Sequence, residues 1–193
     1  REFSGSYEYN GSSWSSGGSL NTGRQSNLGA GESTNAAFVG GGFRYATGRM
    51  SLTEEYNGSS WSTANNMIYT TYVSNAMGSL NDGMQVGGQT AGGDSQSCSV
   101  YDGTNWSSTG ATAMASGNSF GSFGEATTTA HAVGSSGAAA EHNTFNGSSW
   151  STATSMHAQH NGPGSGGSDS SGFIASGYDI GAGSTTTACE EWT

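Results

Sequence analysis

The sequence predicts an all-β fold, a small β-propeller of about four four-stranded blades, and three observations carry that expectation. An aromatic–Asn/Asp–Gly–x–x–Trp motif occurs four times at near-constant spacing. An apolar stretch ending in small residues, mostly glycine, follows each Trp about 25 residues later. No segment shows the 3.6-residue apolar period of an amphipathic helix. Radial repetition of small antiparallel sheets is one way an all-β chain protects its strand edges.

The Trp motif predicts the outer half of each blade. It reads Tyr9-Asn10-Gly11 to Trp14, Tyr56-Asn57-Gly58 to Trp61, Tyr101-Asp102-Gly103 to Trp106, and Phe145-Asn146-Gly147 to Trp150. Successive Trp residues stand 47, 45 and 44 positions apart. Asn-Gly or Asp-Gly between β-formers signals a hairpin with a tight turn, both residues tolerating φ > 0. A fifth, cut-off copy, Glu190-Glu191-Trp192-Thr193, matches Glu54-Glu55-Tyr56-Asn57.

The glycine landmark predicts the end of an inner strand. It reads Phe38-Val39-Gly40-Gly41, Gln85-Val86-Gly87-Gly88, Ala132-Val133-Gly134-Ser135 and Ile174-Ala175-Ser176-Gly177. Leu20, Met67 and Met156 lie six residues after their Trp, whereas Met114 lies eight after Trp106. A two-residue insertion in the third repeat accounts for that offset and for its later glycine. Before each landmark runs a small-residue stretch: 26–31, 75–80, 119–124 and 164–167. Glycine-rich strands mark close backbone approach, which places these innermost, at the axis. Length varies most after the glycine landmark, so the main variable loop falls there, for example over 43–52.

The chain therefore reads as one repeat domain, 1–193, with repeats at about 15–61, 62–106, 107–150 and 151–193. Its ends leave two alternatives. Residues 1–14 supply a Trp strand that closes blade four, leaving the segment from Arg1 to Tyr7 as an adaptor. Otherwise the C-terminal strand docks on a neighbouring molecule and links copies head to tail. Beginning at Arg1 inside a repeat, the chain reads as a processed or excised piece of a longer product.

An apolar strand closed by a glycine doublet, then an aromatic–Asn/Asp hairpin, then Trp, then an apolar residue about six later resembles the kelch repeat. The resemblance spans the whole chain. It implies that the doublet closes the second strand of each blade and that the hairpin joins the third strand to the outer fourth. Departures are Gly134-Ser135 and Ser176-Gly177 in place of the doublet, and an arginine after the Leu/Met position at Arg24 alone. The flavour of Glu54 to Trp61, with Ser/Thr/Gly-rich spacers, is similar to kelch-like repeats in structural proteins of marine bacteriophages. That resemblance implies a non-enzymatic structural or recognition module on a virion or cell surface, a tail-fibre-like appendage displaying loops to a host surface. A secreted glycan-binding propeller is the alternative.

Composition narrows the partners. The chain has a net charge of −10, four arginines, and no lysine. Without a basic footprint, neither nucleic acid nor an anionic membrane is an expected partner. The expected partner is a protein or glycan on a host surface, with self-association through the terminal strands as a second possibility. Seven Phe, eight Tyr and five Trp must carry the core, because 34 glycines bury no side chain. No catalytic set or cofactor motif is apparent, and none is expected. His131, His142, His157 and His160 lack a neighbouring ligand pattern and read as surface or turn histidines, so no metal is expected. Cys98 and Cys189 occupy equivalent places in repeats two and four, on opposite blades, too far apart for a disulfide, so they read as unpaired thiols, with an intermolecular bridge as the alternative. Asn10, Asn57, Asn105 and Asn146 have the form of glycosylation sequons, but three coincide with turns that want Asn-Gly for backbone reasons. Phe43, Tyr45 and Tyr178, beside the variable loops, are the candidate binding aromatics. Trp14, Trp61, Trp106, Trp150, Gly40, Gly41, Gly87 and Gly88 are the structural markers.

Overall fold

The structure, a computed structural model, describes residues 2–115, 117–125, 128–137 and 140–193; Arg1 lies outside the described residues. It is an all-β, four-blade propeller with no helix among the described residues. A two-stranded hairpin, β1 (Tyr7–Tyr9) and β2 (Trp14–Ser16), comes first. Blade one is β3 (Leu28–Ser33), β4 (Ala36–Gly40), β7 (Thr53–Tyr56) and β8 (Trp61–Ala64), with the small hairpin β5–β6 (Phe43–Arg44, Gly48–Arg49) inserted after its second strand. Blade two is β9 (Asn75–Ser79), β10 (Asp82–Val86), β13 (Ser97–Tyr101) and β14 (Trp106–Ala111), with the insert β11–β12 (Gln89–Thr90, Gly93–Asp94). Blade three is β15 (Gly121–Glu125), β16 (Thr129–Val133), β17 (His142–Phe145) and β18 (Trp150–Thr152). Blade four has three strands, β19 (Gly164–Ser168), β20 (Ser171–Ala175) and β23 (Cys189–Trp192), and the insert β21–β22 (Tyr178–Asp179, Ser184–Thr185).

The small-residue stretches are the innermost strands, as their composition predicts. β3 packs on β9, β9 on β15, and β15 on β19, while β19 and β3 make no comparable packing. Glycine permits the approach: a Cβ at Gly121 would sit 2.9 Å from Ser165 of the next blade. Ser165 then stitches the two strands, its Oγ accepting from Ser122 N–H at 2.8 Å and donating to Ser122 O at 3.1 Å. The core lies between blades. Leu28, Phe38, Met67, Tyr101 and Trp106 fill the junction of blades one and two. Met77, Met84, Val86, Cys98, Met114, Phe120, Ala130, Ala132 and Phe145 fill that of two and three. Met114 is buried as its landmark position predicts, and the local insertion after Trp106 falls where β14 carries a bulge opposite Cys98 and Ser99.

The Asn-Gly hairpins form, but by another mechanism than the tight turn expected. Tyr9 pairs with Trp14 and Tyr56 with Trp61, so each loop has four residues, and only its glycine takes positive φ (95°, 93°, 85° and 90° along the chain). The Asn acts through its side chain. Asn57 Oδ1 accepts from Ser59 N–H and Ser60 N–H, both at 3.0 Å, and Asn10 and Asn146 repeat the bonds. This is an Asx turn, which is why Asp102 can replace Asn: its carboxylate accepts from Thr104 and Asn105.

Two further expectations are corrected. In repeat one the left-handed pair is Gly41-Gly42 (φ 59° and 102°), one residue later than Gly40-Gly41. Gly41 N–H bonds Leu52 O as Gly87 N–H bonds Ser97 O, which makes Gly41 and Gly87 equivalent. Three consecutive glycines hide that register. Residues 1–14 do not close blade four. β2 pairs only with β1, and the outer edge of β23 has no partner strand among the described residues. β23 itself fills the third-strand place on β20, so a third strand from the N-terminus has nowhere to pair. Instead the β1–β2 hairpin stacks on blade one, with Trp61 Nε1–H donating to Ser6 Oγ at 3.2 Å and Gly18 N–H to Tyr56 Oη at 3.3 Å.

Candidate functional site

Antiparallel alternation puts the Asx turns and the β3–β4-type turns on one end of the propeller, and the inserts with the interblade segments on the other. In blades one and two the turn end is tight: a Cβ at Gly58 would meet Asn35 Oδ1, and one at Gly103 would meet Asn81 Oδ1. The insert end differs from blade to blade. Each insert is anchored to the segment entering its own blade through an isolated bridge: Gln25 with Phe43, Tyr72 with Gln89, and Asn161 with Tyr178. Just after those segments, Ser26, Val73 and Ser119 hold left-handed backbone (φ 52°, 55° and 60°), and Gly162 holds the same place in blade four. Val73, β-branched, is strained there. Its N–H donates to Ser26 O at 2.9 Å, and that of Gly162 to Ser119 O at 2.9 Å, tying neighbouring blades together beneath this face.

On the insert end an arginine–aromatic cluster forms between blades one and two. Phe43 lies edge-on to Tyr45 (5.8 Å) and against Tyr72 (5.7 Å). The Arg49 guanidinium stands 4.9 Å from the Tyr72 ring centre, a cation–π contact. Beside it runs a groove lined by Arg49, Ile68, Tyr69, Thr90 and Ala91. Arg24 and Arg44 are neutralised by Glu54 and Glu2. Arg49 has no carboxylate partner among the described residues; it reaches only Gln89 Oε1 at 3.5 Å, and its buried Nε–H is unpaired. The structure thus brings Phe43 and Tyr45 together and leaves Tyr45 exposed, while Tyr178 sits apart on the insert of blade four. Arg49, Tyr72, Ile68 and Tyr69 were missed by the sequence reading. Arg49 lies inside the 43–52 loop it singled out, and the Ile68–Tyr72 run of apolar and aromatic residues in an interblade segment was the remaining signal.

A second cluster lies between blades three and four, and it overturns the reading of surface histidines. His131, His142 and His160 are buried; His157 alone is exposed. Phe123, His131 and His142 stack in series, at 4.5 and 5.1 Å, and Trp192 stands edge-on to His142 at 4.9 Å. Thr154 O accepts the Nδ1–H of His142 at 3.1 Å, so its Nε2 accepts from His131 Nδ1–H at 2.9 Å, and His131 Nε2 meets Asp169 Oδ1 at 3.0 Å. Burial holds His142 below the ordinary histidine range, against the Thr154 bond and reinforced by His131. Nearby, Glu190 accepts from His157 N–H (2.8 Å), Ala158 N–H (2.7 Å) and His160 (3.3 Å). Its counterpart in blade one, Glu54, accepts from Asn21 N–H, Thr22 N–H and Arg24. Arg24 and His160 thus fill one structural place, each joining a carboxylate, buried in Glu54 and partly buried in Glu190, to the backbone just after the blade's second strand, at Gly41 O and Ser176 O. These contacts make the cluster a packing device. No group of three or more metal-ligating side chains occurs among the described residues.

Cys98, buried, and Cys189, exposed, are both free. The axial opening is lined by inner-strand glycines, Ala30, Ala76, Met77, Ser122, Phe123 and Ser165, with no charged group.

The chain superposes on YjhT, a propeller protein, over 97% of its own length and 72% of that chain, with a TM-score of 0.76 and 12% identity. This likeness shows the fold. No family model and no curated protein matches the sequence.

Proposed function

We propose that the chain is a non-enzymatic, kelch-like recognition module borne on a virion or cell-surface appendage, whose insert end binds a protein or glycan on a host surface. The contrast between the two ends of the propeller supports this reading. The turn end repeats one Asx-closed loop, while the insert end varies and carries exposed Tyr45, Ile68, Tyr178 and Ile180. Variable loops on a rigid sheet scaffold are where binding residues concentrate. The lysine-free, weakly charged composition suits an exposed particle protein. Binding of the labelled chain to a panel of intact marine bacterial cells tests it. Ile68→Ser and Tyr45→Ser should weaken binding at least several-fold, and Asn57→Ser, on the turn end, should leave it unchanged. Equal binding by all variants, or none to any cell, sinks the reading.

One observation favours the glycan-binding alternative. Arg49, stacked on Tyr72 and without a carboxylate partner, flanks an open groove. An aromatic platform beside an unneutralised guanidinium fits a sugar bearing a carboxylate or sulfate. An array of acidic and neutral glycans separates the two readings: signal on acidic sugars that Arg49→Gln removes supports the alternative, and silence across the array leaves the protein-binding one.

A further inference from the structure

Three of the junctions, hairpin with blade one, one with two, and two with three, follow one pairing rule, and the two ends of the molecule carry its unmatched halves. At the fourth, between blades three and four, Trp192 instead donates its Nε1–H to Asp169 O. At the junction of the β1–β2 hairpin with blade one, Tyr56 Oη–H donates to Glu8 in a short bond, and Trp61 Nε1–H donates to Ser6 Oγ at 3.2 Å. At the junction of blades one and two, Tyr101 Oη–H donates to Glu55, likewise short, and Trp106 Nε1–H to Thr53 Oγ1 at 2.9 Å. Phe38 lies against both rings there, 5.5 Å from Tyr101 and 5.7 Å from Trp106. At the junction of blades two and three the partners change together. Phe145 has no hydroxyl and Val100 takes the place of Glu, while Cys98 takes the place of Thr53 and the buried Trp150 Nε1–H finds no acceptor. A hydroxyl is thus matched by a carboxylate and a bare ring by an aliphatic side chain.

At the N-terminal end Tyr9 and Trp14 hold the places of Tyr101 and Trp106, and they are 49% and 70% exposed. At the C-terminal end Phe173, Cys189 and Glu191 hold the places of Phe38, Thr53 and Glu55, and all three are exposed; Phe173, at 48%, contrasts with Phe38 at 1%. One end carries a tyrosine, the other the glutamate that the rule assigns to a tyrosine. Within one molecule these groups stand open to solvent, the Tyr9 hydroxyl donating only to Gly11 O of its own exposed turn at 2.9 Å, a bond it would exchange for the carboxylate.

We infer that the exposed face of the β1–β2 hairpin of one copy stacks on the outer face of blade four of a second copy. Tyr9 donates to Glu191, and Tyr9 and Trp14 pack on Phe173. The contact is head-to-tail, with different surfaces on the two partners, so it propagates into chains rather than stopping at a symmetric dimer.

Sedimentation of the chain over a wide concentration range, with two variants, tests this. The wild type should form a concentration-dependent ladder of oligomers. Trp14→Ser removes the head and Phe173→Ser removes the tail; each alone should be monomeric. Both side chains are exposed in the single copy, so folding, checked by circular dichroism, should be unaffected. Mixed in equal amounts, the two variants should give a species of twice the monomer mass and nothing larger, because one intact head then meets one intact tail. A wild type that is monomeric at every concentration, a single variant that still associates, or a mixture that stays monomeric overturns the inference.

Discussion

The junction between blades two and three and the junction between blades three and four are built on the same backbone places with opposite chemistry. In the first, Met84 and Cys98 face Phe145 in an apolar cluster. In the second, the equivalent places are His131 and His142, and they face Trp192. Both are tightly buried. The propeller frame therefore specifies size and shape at these positions and leaves polarity free, with the buried imidazole nitrogens partnered. Asp169 and the Thr154 carbonyl supply those partners for the histidines. One junction is consequently indifferent to pH and the other is not.

The largest test of the contrast is Met84→Ala. Met84 is fully buried, and removing its side chain leaves a cavity that costs about 2–5 kcal/mol. Urea denaturation should show that loss equally at pH 7.5 and pH 5.5, because no titratable side chain contributes to the apolar cluster except the Cys98 thiol, which burial pushes up to about 12.

Acidification should open the other junction first. The fold keeps His142 neutral, so the unfolded chain binds that proton more readily. The contribution is complete above the ordinary histidine value of about 6.5 and is lost as pH falls from there toward the folded value. A second ring proton on His142 would also point its Nε2–H at the Nδ1–H of His131. Glu190 adds a later step. Burial alone would raise it, but the bonds from His157, Ala158 and His160 outweigh burial and hold it below the ordinary carboxylate range. Its contribution is present above that range and lost as pH falls through the folded value. Between pH 7.5 and 5.5, hydrogen-exchange protection should fall in β16, β17, β20 and β23 and persist in β9, β10 and β13. His142→Thr, the residue blade one carries at that place, should remove most of the change; unaltered acid sensitivity in this variant would place its origin elsewhere.

The two cysteines report the same gradient in order. Cys98 sits inside the apolar junction with its thiol pushed up to about 12, whereas Cys189, its equivalent on blade four, is exposed. Iodoacetamide at pH 8, with the protein dilute enough to be a single copy, should modify Cys189 within minutes and spare Cys98 until the protein is unfolded, since the thiolate is the reactive form. Mass spectrometry after tryptic or chymotryptic digestion reads both sites. Equal labelling would show that blade two opens as readily as blade four.

The blade count and the inner strands were legible because repetition and glycine content act locally. The Trp residues mark every outer strand, and small residues mark every axial one. The histidine cluster was not legible, because its meaning depends on four strands from two blades converging: nothing near His131 in sequence announces Asp169 or Trp192. The glycine register of repeat one failed for a simpler reason, since Gly40, Gly41 and Gly42 are indistinguishable until strand pairing fixes which two turn left-handed. The arginine–aromatic cluster was half legible. Phe43 and Tyr45 were found in the variable loop, but Tyr72 reaches them from the next interblade segment, and that approach is set by bridges the sequence does not show.

The smallest expected effects lie in the outer loops of the two blades that form the apolar junction. Blade two closes its loop with Asp102 and blade three with Asn146, each accepting from two backbone N–H groups. Asn146→Ala should cost about 1 kcal/mol, the net worth of an ordinary hydrogen-bonded group. Asp102→Asn preserves the acceptor and should leave stability near neutral pH unchanged. What differs is the response to acid. Hydrogen bonds from Asn105 and Thr104 hold the Asp102 carboxyl below its ordinary value, so its contribution is complete above the usual carboxylate range and fades as pH falls through the folded value. Asn146 keeps its bonds throughout. Melting of Asp102→Asn should therefore match the wild type at pH 7 and exceed it slightly at pH 3. Parity at pH 3 would mean that the loop is held by Gly103 and the strand pairing alone, and that the Asx bonds add nothing to it.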